Sequence, residues 1–514
     1  MAWFSKVNPV PAFPSYPGPY KVGSVDVEIS ASELEAPGPT LPGAAQPTVA
    51  FRIFYPCQPD SQQKGVKWIP SPQKEYIGAY ARFLGANSGF SHVLAYVLHG
   101  ELHSALTVSS LLPQVLYYVT IPVHHNADIL EPPTTSKRWP TMIFSHGLGG
   151  SRNTYSHICG SIASHGMVVV APDHRDGSSP ISFVHTPTEK EPVKRVEYQK
   201  IAHQASKDVY ERRDEQLRTR LWELGMIHDA LLKMDKKTSL SSVAEDHKQQ
   251  SGLAMFAQKL SVHEPGSIVF AGHSFGAATM VQFVKSTFYA NDSSDPNYRP
   301  LFTPTRSSSI VQQITPASPV ILLDLWSLPI QSPATAWLHK HRMPCYSSPN
   351  GGSNLLAILS EAFYKWSSNL EATKEIIAKP KTTKGAYTDQ PGAHIFYPIA
   401  SAHLSQSDFG VLFPWVTTKV LGAKEPERLL KLNVRAILQV LRNSNIEVAK
   451  TNIADLELEV DGAKAEQYHD EMILSNKEGS VRGWLSLSSE PDAQKSAKVS
   501  KGPAEAVVDG EMLS

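Results

Sequence analysis

Cysteine is scarce in this chain. Cys57, Cys159 and Cys345 are the only three among 514 residues, odd in number and far apart. They make neither a disulfide framework nor a thiolate metal cluster, so free thiols in a reducing compartment are the expectation. Excess charge is absent too, because 48 lysines and arginines balance 48 aspartates and glutamates. No global field therefore draws the chain toward nucleic acid or an acidic membrane surface. Nowhere does an uninterrupted apolar run approach the roughly 20 residues that a membrane-spanning helix needs. The opening residues, Met1 to Pro9, lack the apolar core of a secretory signal, and Ala2 stands where myristoylation requires glycine. The expected location is cytoplasmic, with peripheral membrane contact left open. Internal repeats are missing as well.

What is present is a hydrophobic share of 41%, enough to bury a large core. Residues 1–50, rich in proline and glycine, read as an extended entry segment. Inside it Val25–Ile29 alternates with period two, and Val49–Tyr55 follows, a pair suited to antiparallel strands at the start of a sheet. Short apolar strands at 141–144, 167–171, 267–271 and 320–323 then alternate with helices, among them one at 153–165. That alternation predicts an α/β fold with a mostly parallel central sheet over residues 51–445. A long helix carries Leu217, Leu221, Leu224, Ile227, Leu231 and Leu232 on one face. The charge-dense stretch 187–216 reads as a solvated helix face or surface insertion. Residues 446–514 are polar and predicted to be a disordered tail, with Gly483-Trp484-Leu485 as a candidate docking motif.

Chemistry enters at Gly272-His273-Ser274-Phe275-Gly276, which follows one apolar strand and precedes an apolar helix. Strand, tight turn and helix are the setting of a nucleophile elbow, in which the flanking glycines admit a strained serine. A serine hydroxyl needs an imidazole to take its proton and a carboxylate to orient that imidazole. The order serine, acid, histidine leaves His339, His341, His394, His403 and His469 as bases. His403 is favoured, because it lies in a loop just past the strand-like run 395–399. Asp324 is the favoured acid, since it ends the apolar strand 319–323, where active-site groups of open α/β sheets gather. A helix N-cap remains the other reading of that aspartate. Asp292, Asp295 and Asp389 read as loop residues. The backbone N–H groups of Phe275 and of Leu148, in Ser145-His146-Gly147-Leu148-Gly149-Gly150, are the predicted oxyanion donors. The cluster Asp173-His174-Arg175-Asp176 reads as a structural ion-pair network.

Several ordered stretches carry a family likeness. They include Phe54-Tyr55-Pro56-Cys57-Gln58, Phe144-Ser145-His146-Gly147-Leu148-Gly149, Arg213-Asp214-Glu215-Gln216-Leu217-Arg218 and Gly272 through Thr279. Leu323-Asp324-Leu325-Trp326 and Ser401-Ala402-His403 complete the series. From about residue 15 to about 425 the chain resembles the platelet-activating-factor acetylhydrolases, lipase-like calcium-independent phospholipases A2 of α/β-hydrolase fold. The resemblance implies a triad of Ser274, Asp324 and His403, donors at Leu148 and Phe275, and no metal or cofactor. It implies hydrolysis of the sn-2 acetyl, or short or oxidised acyl, ester of glycerophospholipids, with a phospholipid as partner and no nucleic acid. A broader carboxylesterase or lipase, or a silent lipid-binding hydrolase fold, are the alternatives. Ala277 departs from the family, which usually has a second glycine there. Phe90, Val93, Leu94, Val97 and Leu98 form an apolar helical stripe, read either as core or as a lipid-facing surface.

Overall fold

A computed structural model describes residues 11–85, 116–186, 192–243, 253–451, 470–475 and 481–491, apart from loop positions 41, 42, 44, 45, 291, 293, 294, 384 and 386. The apolar stripe at 90–98 lies outside these residues. The central sheet has eleven strands. Nine are numbered here: β1 Val22–Ser30, β2 Thr48–Pro56, β3 Trp139–Ser145, β4 Val168–Pro172, β5 Ile268–His273, β6 Val320–Leu323, β7 Leu355–Ile358, β8 His394–Pro398 and β9 Trp484–Ser486. Across the sheet they run 1-2-4-3-5-6-7-8-9, with short pairings of His124–His125 on β1 and Leu260–Ser261 on β3. From β4 to β8 every neighbour pair is parallel, whereas β1–β2, β2–β4 and β8–β9 are antiparallel. This order, with its antiparallel start, is the α/β-hydrolase fold.

Strand side chains alternate between two cores. Ile268, Phe270, Val320 and Leu322 enter one, while Val269, Ala271, Ile321 and Leu323 enter the other. Five helices cover the faces: α1 Gln73–Gly85, α2 Ser156–Ser164, α3 Lys207–Asp235, α4 Phe275–Phe288 and α5 Pro426–Asn443. The leucine stripe of α3 packs into the first core, with Leu232 only partly covered. Strand burial on both faces explains why these segments read as apolar runs. The helix expected at 153–165 is shorter, because Asp408 accepts the N–H groups of Ser156 and His157 and so starts α2 there.

Two expectations need correction. The charged stretch 187–216 is only partly solvated. Val193–Glu197 is largely exposed and pairs antiparallel with the buried strand Ile181–His185, but Arg213, Asp214 and Gln216 are buried at the start of α3. Arg213 donates to the Ile201 carbonyl and to Gln216 Oε1, and its guanidinium lies over the Trp326 ring at 5.0 Å. Packing on an aromatic face lets a cation be buried that composition alone assigns to solvent.

The polar segment 446–514 also contributes ordered structure, contrary to expectation. Trp484–Ser486 adds β9 to the sheet edge. The Trp484 ring stacks on Phe396 at 5.3 Å, and its Nε1 donates to the Ile473 carbonyl. One buried tryptophan with its N–H satisfied anchors a stretch that is otherwise hydrophilic. Trp484→Ala should cost about 3 kcal/mol and lower the urea midpoint of unfolding. An unchanged midpoint would show that β9 adds nothing to stability.

Candidate active site

The elbow is built as its sequence requires. β5 ends at His273, Ser274 takes φ 57° and ψ −116°, and α4 begins at Phe275. A Cβ on Gly272 would strike the Gly276 carbonyl, and one on Gly276 would strike the Ser145 carbonyl. Only glycine fits at either place. Ala277, where the family usually has glycine, is fully buried in the core and leaves the turn intact. The Ser274 N–H donates to Leu323 O at 2.8 Å, tying the strained residue to the end of the neighbouring strand.

Asp324 follows β6 directly, with φ 43° and no exposed surface. It does not cap the turn after it. One carboxylate oxygen accepts the Ser360 N–H, and the other accepts His403 Nδ1 at 2.8 Å. The Nε2 of His273 stands 3.8 Å from that second oxygen. Burial alone would raise the Asp324 pKa, yet the neighbouring His273 and His403 hold it below the ordinary carboxylate range. Burial, and then the neighbouring His403, press His273 down to about 4. Two rings pack on His403: Phe363 stacks on it at 4.5 Å and 8°, and His273 lies at 4.3 Å and 31°. The nitrogen and oxygen donors of His273, Asp324 and His403 all fall within 4.8 Å of one another, a spacing that could admit a divalent ion. Here the Nδ1–H of His403 already bridges to the acid, so the arrangement is one joined by protons.

The other histidines go elsewhere. His339 bonds Thr335 Oγ1, His341 bonds the Trp337 carbonyl, His394 opens β8, and His469 lies outside the described residues. Asp295 caps its own turn by accepting the Asn297 N–H.

The predicted oxyanion loop sits beside the serine. A Cβ on Gly147 would lie 3.1 Å from Ser274 Cβ. Among the described residues, the N–H groups of Leu148 and Phe275 have no intramolecular acceptor. A buried polar layer fixes the loop. Arg220 Nη1 donates to the His146 carbonyl at 2.8 Å, its Nε pairs with Asp176 at 2.6 Å, and its Nη2 donates to Ser178 Oγ. The same guanidinium lies 4.3 Å from the Phe275 ring, so it touches both halves of the loop–elbow pair. The 173–176 cluster is part of this network. Asp173 pairs with Arg152, His174 with Glu223, Arg175 with Glu28, and Asp176 with Arg220.

The family model of platelet-activating factor acetylhydrolase, isoform II, matches residues 6–463. The chain belongs to that family. A putative phospholipase A2 of Schizosaccharomyces pombe is 28% identical over 457 residues, spanning 84% of this chain and 92% of that protein. The platelet-activating factor acetylhydrolase of Cavia porcellus is 29% identical over 270 residues, 52% of this chain and 50% of its own. That match therefore spans about half of each protein. A solved ferulic acid esterase from Streptomyces cinnamoneus covers 84% of this chain and 91% of its own, at a TM-score of 0.42 and 15% identity. Family membership makes the chain an ester hydrolase. No helix among the described residues is long and apolar enough to cross a membrane.

Sequence reading missed His273, Tyr155, Phe363 and Arg220. Only His273 carried a signal, as the residue next to the serine. Arg220→Leu should destabilise the fold by about 3–5 kcal/mol, because Asp176 is left buried and unpaired. A double-mutant cycle with Asp176→Asn checks this, and additive costs would mean the pair is not coupled.

Proposed function

We propose that the chain is a serine esterase acting on the sn-2 ester of glycerophospholipids that carry acetyl, short or oxidised acyl groups. The observation that carries this reading is the 2.8 Å bond from His403 Nδ1 to a buried, ionised Asp324, whose preceding residue Leu323 accepts the N–H of the strained Ser274. With its Nδ1 proton committed to the acid, His403 presents Nε2 as the base. It takes the Ser274 proton as Oγ attacks the ester carbonyl. The developing oxyanion is met by the N–H groups of Leu148 and Phe275, each contributing about 3 kcal/mol to the transition state. His403 then protonates the departing alkoxide, and water releases the acyl group from Ser274 by the reverse relay. The phospholipid assignment draws on the names of the relatives and on the family. Cytoplasmic location and contact with a lipid surface belong to the same reading, because such substrates reside in aggregates.

Ser274→Ala should lower kcat about a million-fold and abolish fluorophosphonate labelling. Asp324→Asn should lower kcat about ten-thousand-fold. Because Asp324 is held ionised, kcat/KM should fall on the acid side with the uptake of one proton and not two. A two-proton fall would contradict the assignment. With a chelator present, an acetyl phospholipid should be cleaved far faster than a long-chain one. Equal rates on both, and on a simple aryl ester, would favour the broader esterase.

A further inference from the structure

The hydrogen bonds around His273 have a direction. The Gly147 N–H can only donate, and it donates to Tyr155 Oη at 3.2 Å. Tyr155 Oη is 2.7 Å from His273 Nδ1. Burial raises the Tyr155 pKa, so the group stays a phenol with one proton to place. If Nδ1 carried the histidine proton, Tyr155 Oη would receive two donors and its own buried O–H would face none. The satisfied arrangement has Tyr155 donating to Nδ1. The proton of a neutral His273 then sits on Nε2, which stands 3.8 Å from Asp324 Oδ2.

We propose that His273 is a second imidazole of the acid site, a positioning residue whose tautomer is set by Tyr155. Its Nε2–H dipole faces the carboxylate that orients His403, and its ring lies 4.3 Å from the His403 ring, on which Phe363 also stacks. Through Tyr155 hydrogen bonds run from Gly147 to His273, whose Nε2 stands 3.8 Å from the acid. The titratable groups facing Asp324 are His273 and His403, and those facing His273 are Tyr155, Asp324 and His403. This inference rests on the triad reading above and adds a residue to it.

The test uses the full chain, a soluble aryl ester and two variants. His273→Phe keeps a ring and loses the N–H. Tyr155→Phe keeps its ring and frees the tautomer. Misplacement of the base should lower kcat by up to about 100-fold for His273→Phe, with KM little changed. Without the His273 N–H, Asp324 shares its charge with His403 alone, so the imidazolium is stabilised. The acid limb of kcat/KM should therefore move upward by about half a pH unit in His273→Phe, and less in Tyr155→Phe. Native fluorophosphonate labelling of Ser274 separates the two levels of the account. A wild-type chain that does not label sinks the triad reading, and this inference with it. A labelled wild type whose variants keep its kcat and acid limb overturns the inference alone. A lowered kcat with an unmoved limb also overturns it, since that is what a packing role would give. Should His273→Phe not fold, the Tyr155→Phe limb decides by itself.

Discussion

The complete burial of the Asp324 carboxylate is the constraint that organises this site. An anion taken out of water at the end of β6 is tolerated only if donors surround it. Ser360 supplies one from the backbone after β7, and His403 supplies another from the loop after β8. His273, the last residue of β5, faces it from the remaining side. Parallel register brings these groups together. His273 pairs with Leu323 and Leu323 with Ile358, so the residues that follow each strand emerge side by side at one edge. The sheet thus brings His273, Asp324 and the segments that carry Ser360 and His403 to one edge.

Strain and a buried ionic layer complete the arrangement. Ser274 and Asp324 both have positive φ, 57° and 43°, each costing on the order of 1–3 kcal/mol. They are adjacent, and the backbone bond from Ser274 N–H to Leu323 O joins them. Beneath the oxyanion loop, Arg220 and Asp176 are fully buried and bonded to each other, to the loop carbonyl of His146 and to Ser178. Such a pair adds little net stability over an apolar substitute, but it holds a loop in one place.

Much of this could be read from the residues. Strands such as Val320–Leu323 are buried on both faces, so they appear as plain apolar runs, and the elbow glycines announce their turn. The choice of His403 and Asp324 followed from chain order and strand ends, which the parallel topology translates into proximity. What could not be read depended on contacts between distant segments. Phe363 carries no local mark of stacking on His403, and Arg220 looks like any charged residue on a long helix. Arg213 was assigned to solvent because composition does not register the aromatic face of Trp326. Trp484 reads only as part of a candidate docking motif, since its polar neighbours hide the Phe396 ring that it packs on.

The most direct test of the account is a crystal structure of the chain after reaction with a phosphonofluoridate, whose phosphorus mimics the tetrahedral centre. Phosphorus should be bonded to Ser274 Oγ, with its free oxygen about 3 Å from the N–H groups of Leu148 and Phe275. His403 should still be bonded to Asp324 through Nδ1, with Nε2 turned to the adduct. Phosphorus on another residue, or a free oxygen turned away from both N–H groups, would contradict the account.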